Sequence, residues 1–540
     1  MLVALLGAPI GVAACRDGRI KRALPAGELV GPSVKLGHRL RDEAPPTVSP
    51  EKRRRKGVVI VGGGAAGLSA AWRLKRAGFD DFLLTELEQA PGGTARSGQS
   101  AVSAYPWGAH YIPAPGPENR ALTLLLDEMG VLEGRSEDGA PVVAEQFLCR
   151  DPQERIFFRG WWYEGLYLQA GATVEDRKQF AAFQAEIERW VGWRDAKGRR
   201  AFTIPIARCT DDAEVTSLDR LTMADYLDRK GFTSPRLRWL ADYACRDDYG
   251  STLEQTSAWA GLFYFTARIP RKGAEAEPLI TWPEGNGALI NHLYGAVRSH
   301  AQLGQAVCDI DAPTGRSKGT IAVTTLSTAD GSAAGFEADQ VIFAAPRYLA
   351  RPLLRAYRTS PPAHLAGFEY GSWLVANLTL SARPQERGFP LSWDNVLYES
   401  PSLGYVVATH QRGIDRGPTV LTYYYPFCDA DPRRARERLL EMDRAQCAEL
   451  ALADLSAAHP EIRDLTDRLD VMRWGHAMVR PGPGFLRSEA RRIAQRPEHG
   501  IHFAHTDLSG VALFEEAFFH GVRAAEEVLA ARRIPFTSML

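Results

Sequence analysis

Four consecutive apolar positions, Val58-Val59-Ile60-Val61, stop at Gly62, and a pattern of helical period takes over from Leu68 to Ala77. An unbroken β-branched run is what a strand buried on both faces requires, so the pattern predicts strand, tight turn and helix in that order. A second strand is expected over residues 81–85, ending at Glu86. Further strand-like runs fall at 306–310, 320–325, 340–345, 374–380 and 419–425. From about 130 to 268 the apolar spacing is largely helical, and 431–458 predicts one long surface helix.

Local signals refine this map. Thr222-Met223-Ala224-Asp225 has the form of a capping box, in which the Thr and Asp side chains satisfy each other's backbone N–H groups. The stretch from Ala244 to Gly250 predicts a helix break carrying two acids, Asp247 and Asp248. Adjacent side chains point different ways, so at most one of the two is expected to face a cavity, and a cap is the competing reading. On the strand at 419–425, alternation sends Tyr423 and Tyr425 to one face and Tyr424 to the other. Core packing is the ordinary reason for such a strand, with a substrate pocket as the alternative.

The turn after the first strand contains Gly62, Gly64 and Gly67, a G-x-G-x-x-G pattern. Gly62 permits the tight turn, Gly64 lets backbone approach a pyrophosphate, and Gly67 lets the helix pack on the strand. The free N–H groups around Ala66 and the positive end of the helix dipole would then face phosphates. Glu86 follows Gly67 by 19 positions, where an acid accepts hydrogen bonds from a ribose. NAD and FAD sites share this much.

Composition narrows the class. The 540 residues are 45% hydrophobic and 24% charged, which describes a large globular chain of two or more domains. With 65 basic and 65 acidic side chains there is no electrostatic case for nucleic acid. The dense basic run 52–56 reads as a solvated linker before the first strand, and 16–56 as a surface tether or strap, with the fold beginning near Gly57. Seven cysteines lack metal-ligand spacing, so no metal site is expected, and buried free thiols are the plain reading for most. The first 15 residues are apolar and end in Val12-Ala13-Ala14-Cys15, which resembles a lipoprotein cleavage box with a lipidated Cys15, although no basic residue precedes the apolar run. Export to a periplasmic or membrane-anchored position and a cytoplasmic extension are both open. The run is too short, and too interrupted by Pro9, to span a membrane.

Gly92-Gly93-Thr94-Ala95-Arg96-Ser97, six residues beyond Glu86, resembles the second glycine motif of the FAD-dependent amine oxidase superfamily, which includes protoporphyrinogen oxidases and phytoene desaturases. Val341-Ile342-Phe343-Ala344-Ala345-Pro346 is similar to the family's V-I-x-A-x-P strand, and Phe503-Ala504-His505-Thr506-Asp507 to its closing motif. The resemblance implies an α/β fold: a discontinuous FAD-binding Rossmann-type domain (57–135, 280–346, 466–535) with an inserted α+β substrate domain (136–279, 347–465). It implies FAD contacts at Gly62, Gly64, Ala66, Gly67, Glu86, Gly93, Thr94 and Arg96, adenine contacts from the backbone at Val307, and further contacts at Asp507 and Val511. Trp282-Pro283-Glu284-Gly285-Asn286-Gly287 looks like the family's glycine turn opening a helix next to the flavin. Pocket residues implied are Trp474 and His476, in the segment that crosses the flavin face, together with His110 and Asn377, and the aromatic strand adds Tyr425 as a pocket candidate.

Membership of such a family implies hydride transfer from a C–H bond of a small-molecule substrate to flavin N5, most often from an amine. Desaturation of a hydrocarbon or porphyrinogen uses the same step, and some proteins of this fold bind prenylated partners without a flavin. The acceptor is expected to be oxygen or quinone-like. Many amine oxidases of the family place a lysine near N5, and the matching stretch here, 370–380, has none. Lys272 and Lys318 are the nearest upstream lysines and neither is an obvious substitute. Nothing in the sequence speaks to oligomeric state.

Overall fold

The computed structural model describes residues 23–137, 139–313 and 319–540. Cys15 with the rest of the apolar N-terminal run, and Lys318, lie outside these residues.

The β-branched run does form a buried strand, Arg53–Val61, at the centre of a seven-stranded sheet. It pairs in parallel with Phe82–Thr85 on one side and Ala333–Phe343 on the other. Ala333–Phe343 also pairs in parallel with Ile501–Phe503, while Ile321–Ser327 and Gln305–Asp311 continue from it as an antiparallel meander. The helix Ala65–Arg76 follows the glycine turn and packs on the C-terminal helix Phe514–Ala531. Small residues set that crossing, since a Cβ on Gly521 would overlap the Ala66 carbonyl and the Ser69 hydroxyl. The start of the C-terminal helix is thereby held in a fixed relation to the glycine turn.

A second, eight-stranded sheet runs Leu29–Gly31, Thr466–Val479, Tyr370–Leu380, Thr419–Pro426, Gly404–Val407, Asp394–Leu397, Glu154–Phe158 and Trp161–Glu164. One face packs on the helices Pro432–Glu441 and Arg444–Leu455, and the other carries Trp373, Val375, Tyr424 and Trp474. Helices from Val174–Gly192 to Ala258–Thr266 form a separate apolar cluster beside it.

Several expectations need correction. The Thr466–Val479 strand pairs along Tyr370–Leu380 and belongs to the eight-stranded sheet, so 466–479 does not join the strands of the glycine-turn sheet. Its closeness in sequence to the closing motif hid this. The stretch 130–165 is strand rather than helix, with Glu154–Phe158 and Trp161–Glu164 joined at Arg159-Gly160, both at positive φ. Two residues in that conformation make the tight turn that a twisted hairpin needs. The helix expected over 431–458 is two, because Asp443 caps a new start by accepting from Gln446 N. Much of that second helix is buried rather than surface.

Nor does the fold begin at Gly57. Arg53 to Lys56 lie within the first strand, paired with Gly335 to Ala338, and their side chains reach outward, Arg54 lying over the Phe336 ring. Ahead of them, Leu29–Gly31 adds an edge strand to the larger sheet and Val34–Asp42 is helical, so the strap carries structure of its own.

Candidate active site

The glycine turn is built as its residue types require. Gly62 sits at φ +103°, and a Cβ on Gly67 would overlap the Gly62 carbonyl. Gly64 differs, because a Cβ there would meet nothing within 4 Å. It stands at the N-cap of Ala65–Arg76 with no side chain to cap the helix, so the open space and the uncapped N–H groups coincide. The second glycine loop lies against the first, Gly92 N donating to Gly63 O at 2.8 Å. At the end of Phe82–Thr85, the Glu86 carboxylate accepts from Gly63 N at 2.6 Å and Glu88 N at 2.8 Å. Each of its oxygens keeps a lone pair for a ribose hydroxyl. The Gln305–Asp311 strand carrying Val307 runs past this point, Gln305 N donating to Glu86 O at 2.8 Å. Arg96 is buried over the Trp474 ring, 5.4 Å from its centroid, and 3.9 Å from Glu88. An anion-ready helix start, space at Gly64 and an acid at the strand end together fit a dinucleotide.

From this cleft a cavity opens over the inner face of the eight-stranded sheet. Thr94 of the second glycine loop and Asn286, beside the start of Gly287–Val297, border it at the cleft end, together with Leu513, Phe514 and Glu515 from the start of the C-terminal helix. Its other walls are aromatic: Tyr111, Tyr243, Trp373, Tyr424 and Trp474. Strand alternation accounts for three of these, since Trp373 pairs in register with Trp474, and Val375 with Tyr424, on one face of the sheet. Trp474 donates from Nε1 to Trp107 O at 2.6 Å, and Tyr424 OH to Gly108 O at 2.8 Å, which fixes both rings.

Four acids line the same space: Asp247, Asp248, Asp394 and Glu515. Arg268 is the only arginine among the lining residues and is committed to Asp248, with Nη2 at 3.1 Å from each carboxylate oxygen. Both acids at the helix end therefore reach the cavity, against the expectation of at most one. The helix Pro235–Tyr249 ends at Gly250 in a left-handed cap, so its last turn is directed into the cavity and neither acid serves as a cap. Burial raises the pKa of Asp247, with Asp248 adding to the effect, and burial also raises Asp248 against the opposing pull of Arg268. Asp394 is pushed well up by burial and then by Glu154 and Asp247. Glu515 rises to about 7 through burial. Burial lowers His110 to about 4, so its ring is neutral near neutral pH. His110 Nδ1 lies 3.2 Å from Gly108 O, a contact that places the proton on Nδ1 and leaves Nε2 as an acceptor.

Of the expected pocket residues, the structure brings Trp474 and His110 to the cavity but not Asn377, Tyr425 or His476. Asn377 is buried, donating to Pro106 O at 3.1 Å and accepting from Thr422 Oγ1 at 2.6 Å, which uses it as a strut between strands. Tyr425 faces the opposite side of the sheet beside Phe427, as alternation requires once Tyr424 points inward. His476 is stacked on Tyr348 with centroids 4.0 Å apart, and burial with Arg436 lowers it to about 3. Asp507 is also engaged by the protein: it accepts from Arg347 N at 2.7 Å and Tyr370 OH at 2.6 Å and lies 2.9 Å from His505 Nδ1. Val511 is fully buried in the helical cluster, and its neighbour Ala512 lines the cavity instead. Sequence reasoning missed Asp394, Glu515, Arg268, Tyr111, Tyr243 and Trp373. The six described cysteines are free and buried, and no group among the described residues could hold a metal ion.

Comparison with known proteins fits this geometry. The model of the flavin containing amine oxidoreductase family matches residues 65–529. Similar solved structures include a double mutant of putrescine oxidase (16% identity, 88% of this chain and 100% of that one, TM-score 0.63). Cyclohexylamine oxidase from Brevibacterium oxydans IH-35A matches at 16% identity, 88% and 99% coverage and TM-score 0.60. A CLA-producing fatty acid isomerase from P. acnes matches at 14% identity, 90% and 99% coverage and TM-score 0.59. Comparison with curated proteins finds no match. The chain belongs to the flavin-containing amine oxidoreductase family. It is an FAD-dependent oxidoreductase with the α/β fold of its structural neighbours.

Proposed function

We propose that this enzyme oxidises a small amine in the acid-lined cavity, with FAD held along the two glycine loops. The lining carries the reading: four acids and one committed arginine leave no free positive charge for a carboxylate substrate, while acids whose pKa burial has raised can ionise against an incoming cation. That charge pattern separates it from a chemistry acting on fatty acids. It gives no support to a hydrocarbon substrate either, since an uncharged chain gains nothing from buried acids.

In this reading Gly62, Gly64, Ala66 and Gly67 take the pyrophosphate, Glu86 the ribose, and Gly93, Thr94 and Arg96 the stretch toward the flavin ring. When bound, FAD supplies a hydride acceptor next to the substrate carbon. The protein's own tasks are to bind, orient and deprotonate. An amine arrives as an ammonium, but its nitrogen must lose a proton before the adjacent carbon can give up a hydride. Glu515, at the cleft end of the cavity and raised to about 7 by burial, can take that proton, because its affinity is closer to that of an amine than an ordinary carboxylate's is. Trp373, Tyr424 and Trp474 exclude water and favour the neutral nitrogen. Neutral His110 offers an acceptor at Nε2.

Turnover tests this by its products. Incubation of the FAD-loaded enzyme with primary amines and a quinone acceptor should release an aldehyde and ammonia in equal amounts, water supplying the aldehyde oxygen and the quinone taking the electrons, while fatty acids of similar size give no reaction. Activity on fatty acids without activity on any amine would reject the proposal.

A further inference from the structure

The acids of the cavity fall into two stations. Near the cleft end, Glu515 is 4% exposed and its Oε1 has no hydrogen-bond partner, in the surroundings of Arg268 and Asp248. The second station is built from three parts of the chain. Tyr243 and Asp247 lie one turn apart on the helix Pro235–Tyr249, and Tyr243 OH donates to Asp394 Oδ2 at 3.2 Å. Asp394 starts the strand Asp394–Leu397 and is the register partner of Glu154 on the neighbouring parallel strand, so the two acids share a face. No described salt bridge reaches Asp247, Asp394 or Glu154, and Arg268 is held by Asp248. Three half-buried acids are thus gathered, and among the described residues Tyr243 is the one side-chain hydrogen-bond donor that reaches them, with Asn395 N–H adding a backbone bond to Asp394. Burial holds such a cluster toward its protonated forms, and a ligand that brings positive charge draws its carboxyls into ion pairs.

Building on the amine reading, we infer that the substrate is a dication, an α,ω-diamine or polyamine. Its reacting nitrogen lies toward Glu515, and its remote ammonium is held by Asp394 and Asp247 with Glu154 behind them. The aromatic walls between the stations suit a methylene chain, which buries apolar surface while both ends stay charge-paired. A monoamine of the same length fills the same walls but leaves the second station without its cation.

The test is anaerobic reduction of the FAD-loaded enzyme by α,ω-diaminoalkanes and by n-alkylamines of equal length. The native enzyme is expected to favour the diamine by at least about tenfold in the ratio of limiting rate to apparent Kd. Asp394→Asn should remove most of that preference by weakening diamine binding, with much less change in the limiting rate. Asp247→Asn and Glu154→Gln should move the preference the same way, which guards against one variant failing to fold. Equal handling of the two amines by the native enzyme, or equal loss of both in Asp394→Asn, overturns the inference while leaving amine oxidation intact. Calorimetric titration with a bis(trimethylammonium)alkane, which cannot be oxidised, reads the site without turnover. Binding should be about tenfold or more weaker in Asp394→Asn, and equal binding overturns the inference. Failure of every amine to reduce the flavin would instead defeat the amine reading, and the titration would still decide the dication site.

Discussion

Arg268 and Asp248 meet at 3.1 Å inside the cavity, and this pairing leaves Asp247, the neighbouring residue in the chain, without a cation of its own. Removing the arginine should therefore do more than delete a contact. Arg268→Met strands a buried carboxylate, and a broken buried pair costs about 3–5 kcal/mol. Thermal melts should show that loss near neutral pH, and adding Asp248→Asn should recover much of it. A double variant as unstable as the single one would show that Arg268 acts through packing on Tyr111 and Tyr264 instead.

Two glycines of one motif should respond differently. Gly64 has an ordinary extended conformation and open space at its Cβ, so Gly64→Val should fold and melt close to the native protein yet purify with little FAD. Gly67→Ala drives a methyl into the Gly62 carbonyl and should lower stability itself, by about 1–3 kcal/mol. Flavin absorbance and melting temperature, measured on both, separate a phosphate cradle from a packing position. Full FAD content in Gly64→Val would place the pyrophosphate elsewhere.

The raised acids also set a pH dependence. Asp247 has a higher pKa folded than unfolded, mainly through burial, so between the ordinary carboxylate range and its raised value the folded state holds more protons. Its contribution to stability therefore falls as pH rises through that window. Asp247→Asn should accordingly raise the melting temperature at about pH 8 and leave it nearly unchanged at about pH 4. An equal shift at both would mean that the charge of Asp247 is not what the fold resists.

The strand, glycine turn, helix and Glu86 were legible in the sequence because each depends on neighbours within a few residues: Gly67 on Gly62, Glu86 on the strand that ends at Thr85. The cavity was not. Asp247, Asp394 and Glu515 are far apart in the chain, and each taken alone looks like a cap or a surface acid; only the packing of helix ends against the larger sheet brings them to one space. His476 and Asn377 were drawn from a resemblance that fixes the strand but not which way each side chain points. For Tyr425 the alternation was legible, and packing of the sheet decides which face turns inward.

Electron return to oxygen should be slow. A cation beside the flavin assists oxygen by stabilising the negative charge that develops on it. The cavity lining has no lysine, Lys272 is exposed, and Arg268 is tied to Asp248. Mixing reduced enzyme with air-saturated buffer is expected to reoxidise it more slowly than turnover with a quinone acceptor does. Reoxidation by air as fast as that turnover would require a cation not seen in the lining.

The central claim, amine oxidation by a flavin set against an acid-lined cavity, is tested most directly by anaerobic mixing of the purified, FAD-loaded enzyme with a primary amine at about pH 8, following flavin absorbance near ~450 nm. The account predicts bleaching in a single turnover, with a rate that saturates in amine concentration and an apparent Kd that rises in Asp394→Asn. Flavin that stays oxidised with every mono-, di- and polyamine tried, yet bleaches on a chemical reductant, would contradict it.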